Sequence, residues 1–123
     1  MKILLDTNAL IWVVGTSPRL PRSWRDLLLD PDNDVFFSAV SVVEISTKAS
    51  LGKLTAPDDY LPVLAQSGLT EVTLTAVHGQ RMRTLPFHHR DPFDRMIIAQ
   101  ALVEDLAVMT SDPAFAPYGV TLV

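Results

Sequence analysis

Asp91-Pro92-Phe93-Asp94-Arg95-Met96-Ile97-Ile98-Ala99-Gln100-Ala101-Leu102-Val103-Glu104-Asp105-Leu106-Ala107-Val108-Met109-Thr110-Ser111-Asp112 reads as a helix, a strand and an acid in direct succession. Asp91 suits an N-cap, Pro92 fits a first helical turn, and Phe93, Ile97 and Ala101 fall on one face, so the spacing predicts a helix over Asp91–Leu106. Ala107–Thr110 is a short apolar run of the kind that fills a buried strand. A helix feeding directly into such a strand is half of a βαβ unit, which implies a parallel sheet.

Working outward, the same alternation recurs. Lys2–Leu5 reads as a buried strand ending at Asp6, and Thr7 to about Gly15 as a helix. Pro21 opens a helix that ends near the turn-rich Asp30-Pro31-Asp32-Asn33. Val35–Phe37 is a second strand, followed by a helix over Val40–Leu51 with Gly52 as its stop. Pro57-Asp58-Asp59 begins another helix, ended at Ser67-Gly68. Glu71–Leu74 is a third strand, Thr75 to about Leu85 a helix broken by Pro86, and Val120–Val123 a candidate fifth strand. These elements predict an α/β chain with a central, mostly parallel sheet.

The chain has 123 residues, enough for one domain spanning 1–123. With 48% hydrophobic and 20% charged residues it is globular rather than disordered. It has no cysteine, which excludes disulfides and thiolate zinc sites and fits a reducing cytoplasm. An acid ends the first apolar run too soon for a signal peptide, and no stretch approaches the roughly 18 apolar residues of a membrane span. The net charge of −4 argues against nucleic acid, unless a bound divalent cation changes the balance locally.

Four separated acids carry the chemistry: Asp6 and Asp112, each just past a predicted strand, Glu44 in an early helix, and Asp94 in the first turn of a late one. Ligands of parallel sheets bind beyond the carboxyl ends of the strands, where strand order reverses, so neighbouring strands would bring Asp6 and Asp112 together there. Carboxylates gathered without basic partners repel one another, and hard oxygen donors suit Mg²⁺ or Mn²⁺. Each acid also has a plainer reading. Asp6 suits a helix cap, Glu44 a surface pair with Lys48, Asp94 the reciprocal member of a capping box with Asp91, and Asp112 a turn before Pro113. Rival phosphate chemistries lack their motifs. There is no Gly-Lys-Ser/Thr loop, no Gly-x-Gly-x-x-Gly, and Asp6-Thr7-Asn8 in place of the Asp-x-Asp of dehalogenase-like enzymes. The adjacent His88-His89 reads as a solvated loop rather than a zinc site.

The stretches Leu4–Trp12, Ser38–Ile45, His88–Ala101 and Met109–Phe115 resemble, in order, the four motifs of PIN-domain nucleases, the third in the form common among VapC-type toxins. The resemblance implies an α/β/α sandwich with the strands before Asp6 and Asp112 adjacent and central. It implies Asp6, Glu44, Asp94 and Asp112 as metal-binding catalytic acids, with Asn8, Asp91, Arg95 and Thr110 around them or on substrate. It further implies a Mg²⁺- or Mn²⁺-dependent endoribonuclease, a cognate antitoxin, and a homodimer or larger toxin–antitoxin assembly. Lys48, Lys53, Arg81, Arg83, Arg90 and Arg95 are candidates for RNA phosphates. Leu10, Ile11, Trp12 and Leu27–Leu29 are candidates for a protein contact, with Trp12 and Trp24 the preferred anchors. A free-standing nuclease of RNA maturation or branched DNA, and an inert interaction module, are the alternatives.

Overall fold

Ile3, Leu4 and Leu5 have no solvent exposure, because β1 (Lys2–Leu5) lies inside the sheet and is covered on both faces. A computed structural model describes residues 1–123. β1 pairs in parallel with β2 (Asp34–Ser38) on one side and β4 (Ala107–Met109) on the other, and β2 pairs in parallel with β3 (Thr70–Val72). The sheet order is β3-β2-β1-β4. From β1 the chain first builds outward through β2 and β3, then returns to β1's other side, so strand order reverses between β1 and β4.

Side chains alternate across a strand, and each face of the sheet has its own core. Leu4 and Val108 pack with Ile97, Ile98 and Ala101 of α6 (Pro92–Glu104) and with Phe115 and Tyr118. Ile3, Leu5, Phe37 and Met109 face the other way, against α1 (Thr7–Val14), α2 (Arg22–Leu29), α3 (Ala39–Ser50) and α4 (Leu61–Gln66). The remaining helix, α5 (Ala76–Arg81), packs on α6. The result is the expected helix–sheet–helix sandwich. Buried Gln100 ties its layers together: its Oε1 accepts from the Ser38 hydroxyl and its amide donates to the carbonyls of Val72 and Thr73. No helix is long and apolar enough to cross a membrane.

Several boundaries differ from the sequence expectation for local reasons. Pro57-Asp58-Asp59 is not helical, and α4 starts only at Leu61. Tyr60, just before it, is held by hydroxyl contacts to Ser46 and to the Val42 carbonyl, which fixes the entry to the helix. The helix expected from Thr75 to Leu85 stops at Arg81 and tightens into a 3₁₀ turn over Met82–Thr84, since the residue before Pro86 is pushed out of helical geometry. The expected fifth strand shrinks to a single parallel bridge, Val108 to Leu122. Trp24 is a core residue rather than a surface anchor. It is 7% exposed, stacks at 6.0 Å on half-buried Trp12, and donates its indole N–H to the Val123 carbonyl. Leu10 is likewise buried, whereas Leu29 stands 75% exposed.

Candidate active site

Register decides what meets beyond the strand ends. Leu5 aligns with Phe37 on one side and Met109 on the other, so the chain leaves β1, β2 and β4 along the same edge. Asp6 leaves β1 as the cap of α1, its Oδ1 accepting the Ala9 N–H at 2.8 Å. Its Oδ2 accepts the Thr110 hydroxyl at 2.5 Å, and that same hydroxyl oxygen accepts the Asp112 N–H at 3.0 Å. One threonine beyond β4 thus joins the acids of two neighbouring strands.

α6 supplies Asp94 from its first turn. Asp91 is the cap, taking the Phe93 N–H at 2.8 Å and the Asp94 N–H at 3.4 Å. The reciprocal half of a capping box does not form: the Asp91 N–H goes to His89 Nδ1, which leaves the Asp94 carboxylate for the cleft. Its Oδ2 lies 2.9 Å from His89 Nε2, and Asp112 Oδ2 lies 3.0 Å from the same nitrogen. Asp112 also caps the following 3₁₀ turn through the Ala114 N–H. Glu44, 4% exposed, projects from α3, with Oε1 accepting from Thr7 and Oε2 paired to Lys48 at 2.5 Å. The plain readings of Asp6, Glu44 and Asp112 therefore hold locally, yet all of these carboxylates share one electrostatic neighbourhood.

That neighbourhood shows in the proton affinities. Burial, above all, raises Asp6, with the charges of Asp112 and Glu44 adding to it and hydrogen bonds from Thr110 and Ala9 opposing it. Asp94 is pushed up to about 7, by burial first, then by Asp91, with Glu44 and Asp6 adding and His89 opposing. The Glu44 hydrogen bond raises Lys48, with Asp91 and Asp94 contributing. The acids are thus not free of basic partners, as the sequence suggested. Lys48 and His89 both lie among them, and His89 offsets only part of the upward shift at Asp94. Oxygen donors whose charged forms the fold disfavours fit a hard divalent cation.

A pH dependence follows. The folded Asp94 carboxyl keeps its proton to about pH 7, whereas the ordinary value is 3.8. Between those values the folded state binds more protons than the unfolded, so metal-free stability falls as pH rises through this window. The melting temperature in EDTA should drop between pH 5 and about pH 8, and millimolar Mg²⁺ should restore it at the upper end. An Asp94→Asn variant with the same drop would assign the effect elsewhere.

Among the other residues singled out in the sequence, Asn8 is exposed in the first turn of α1. Arg95 is 6% exposed and pairs with no acid. Its guanidinium donates to the carbonyls of Pro86 and Leu85 and to the Tyr118 hydroxyl, and lies 4.2 Å from the Phe87 ring centroid. Burial keeps it from reaching a phosphate as the folded chain stands. Lys53, Arg83 and Arg90 are exposed, while Arg81 is held by Thr84. Sequence reasoning missed His89, half-buried against Phe115, and the hydroxyl pair Thr7–Ser41 beneath Glu44. Placement of His89 two residues before a helix cap, in a chain turning back over β4, was the one available signal.

Away from the acids, a mostly apolar groove of about 160 Å³ runs between α1, α3 and α4, lined by Leu10, Ile11, Val14, Ile45, Leu54 and Tyr60 among others.

Comparison with known structures shows the same fold. VapBC2 from Rickettsia felis, solved bound to a DNA fragment of its promoter, matches with a TM-score of 0.75 at 18% identity, covering 100% of this chain and 98% of the other. DNA-bound VapBC from Salmonella typhimurium matches with a TM-score of 0.74 at 22% identity over 100% and 97%. A toxin–antitoxin complex from Klebsiella pneumoniae gives 0.66 at 19% over 98% and 95%. No curated protein matches in sequence. The family model described as the PIN domain matches residues 3–120, nearly the whole length, and the chain belongs to that family.

Proposed function

We propose that this protein is a divalent-metal-dependent endoribonuclease acting as the toxin of a toxin–antitoxin pair. The observation that carries the reading is the junction at the β1–β4 reversal: Thr110 joins Asp6 to Asp112, and His89 joins Asp112 to Asp94. A PIN-family chain with its acids gathered at that crevice is arranged for phosphodiester hydrolysis. Asp6, Asp94 and Asp112 would hold Mg²⁺ or Mn²⁺, with Glu44 on the metal, on its water, or orienting the attacking water. When bound, the ion supplies an acidified water and a counter-charge for the scissile phosphate. In-line attack would leave a 5′-phosphate and a 3′-hydroxyl. Thr110 and the Ala9 N–H hold Asp6 in place, while the Asp91 cap fixes the turn that presents Asp94. Exposed Arg90, next to His89, offers a cation to the RNA backbone.

Likeness to VapBC complexes supports an antitoxin partner that covers this crevice, and the apolar groove beside α1 suits one of its nonpolar segments. Incubating the protein with total RNA tests the enzymatic half. Cleavage should require Mg²⁺ or Mn²⁺ and map to defined sites, and cleavage undiminished in EDTA would overturn the metal dependence. Growth arrest on expression, relieved by the product of a neighbouring small gene, tests the other half.

A further inference from the structure

We propose that His89 is a positioning residue that holds Asp94 and Asp112 together, its Nε2–H donating to Asp112 beside Asp94, and that it does not itself ligate the metal. This rests on the metal-dependent reading above. The His89 Nε2 and one oxygen from each acid lie within 4.8 Å of one another, at 2.9 and 3.0 Å from the nitrogen. Spacing alone suits either a shared N–H or a set of metal ligands, and the far side of the ring decides between them. The Asp91 backbone N–H, which can only donate, approaches Nδ1 at 3.2 Å. Nδ1 therefore carries the lone pair and Nε2 carries the proton of the neutral ring. Ligation through Nε2 would place a proton on Nδ1, facing the Asp91 donor across a half-buried contact.

The ring is held firmly enough to act as a template. Its main-chain N–H donates to the Tyr118 hydroxyl at 2.7 Å, and Tyr118 in turn donates to the Pro86 carbonyl at 2.8 Å. The imidazole edge rests on Phe115 with centroids 5.8 Å apart and planes at 85°. Buried Arg95 donates to both Pro86 O and the Tyr118 hydroxyl, closing the network from behind. The Nε2–H thus bonds one oxygen of Asp112 while the same nitrogen lies 2.9 Å from one oxygen of Asp94, which keeps two like-charged groups from separating. The helix of Asp94 and the strand end of Asp112 share no other direct polar link in the cleft.

Mn²⁺ titration of the full chain, followed by calorimetry and pulsed EPR, tests this. His89→Ala should weaken Mn²⁺ binding about 10–100-fold, the usual cost of losing a hydrogen bond behind a metal ligand. The Mn²⁺ concentration for half-maximal cleavage should rise by the same factor. His89→Gln, whose amide N–H reaches the same place, should recover most of the affinity. Melting curves of the metal-free variants establish that they are folded. If the alanine variant does not fold, recovery by glutamine and the wild-type EPR signal still decide. The loaded wild-type protein should show no directly coordinated nitrogen. A strong nitrogen coupling would make His89 a ligand, and unchanged affinity in His89→Ala would make it a bystander; either overturns the proposal while metal dependence stands. A wild-type protein that binds no Mn²⁺ at all would instead remove the metal reading itself.

Discussion

Asp94→Asn should lower RNA cleavage by about three orders of magnitude, or ~4 kcal/mol of transition-state stabilisation, while making the metal-free protein more stable. The two effects share one cause. The fold holds this carboxyl where its charged form is disfavoured, so its affinity for protons is raised to about 7. Ionised at pH 8, it destabilises the metal-free state, and a neutral amide of the same shape removes that penalty. The side chain is 19% exposed, and solvent screening reduces the gain to about 1–2 kcal/mol. Urea denaturation in EDTA at pH 8 measures the gain, and single-turnover cleavage in saturating Mg²⁺ measures the loss. A variant both inactive and less stable would mark Asp94 as a structural acid. Opposite changes in activity and stability are the signature of strain kept for function.

The largest loss of stability is expected at Arg95. Arg95→Ala should cost about 3 kcal/mol or more, because it removes a buried fork of donors from the carbonyls of Leu85 and Pro86 and from Tyr118, and leaves Phe87 without the cation beneath its ring. Arg95→Lys should recover only part, since an ammonium cannot reproduce a planar fork. Stability curves give the magnitude. A second measurement separates this from RNA contact: the salt dependence of RNA binding should keep its slope in Arg95→Gln, measured where that variant stays folded, because a guanidinium that touches no phosphate releases no counterion. A shallower slope would place Arg95 on the substrate.

Much of this arrangement was legible in the sequence. The strand–acid–helix order at Leu5-Asp6-Thr7 and the helix–strand–acid order from Asp91 to Asp112 are local patterns, set by periodicity and caps. They placed β1, α6, β4 and the Asp91 cap closely. Adjacency of β1 and β4 was not local: it came from the family likeness, and the register Leu5–Met109 now supplies it directly. Weak elements failed where neighbours outvoted propensity, as with Pro57-Asp58-Asp59, where Tyr60 sets the helix start, and Val120–Val123, where one bridge stands for a strand. Among the acids, chain position was readable but company was not. Lys48 was recognised as a helical neighbour of Glu44, yet nothing local placed it or His89 within a cluster drawn from four elements. Arg95 looked like a substrate contact because it follows Asp94. A helix turns about 100° per residue, so neighbours in sequence face different ways, and Arg95 points into the loop that α6 buries.

The Thr110–Asp6 hydrogen bond spans 104 positions along the chain. Contacts of that separation are the slowest to form, because the intervening segment must first surrender its freedom. A polypeptide still being synthesised holds Asp6 and Glu44 long before it holds Thr110 or Asp112. If the acids act as proposed, the unfinished chain is expected to be inactive on the ribosome making it, since the cluster closes only when the last strand arrives.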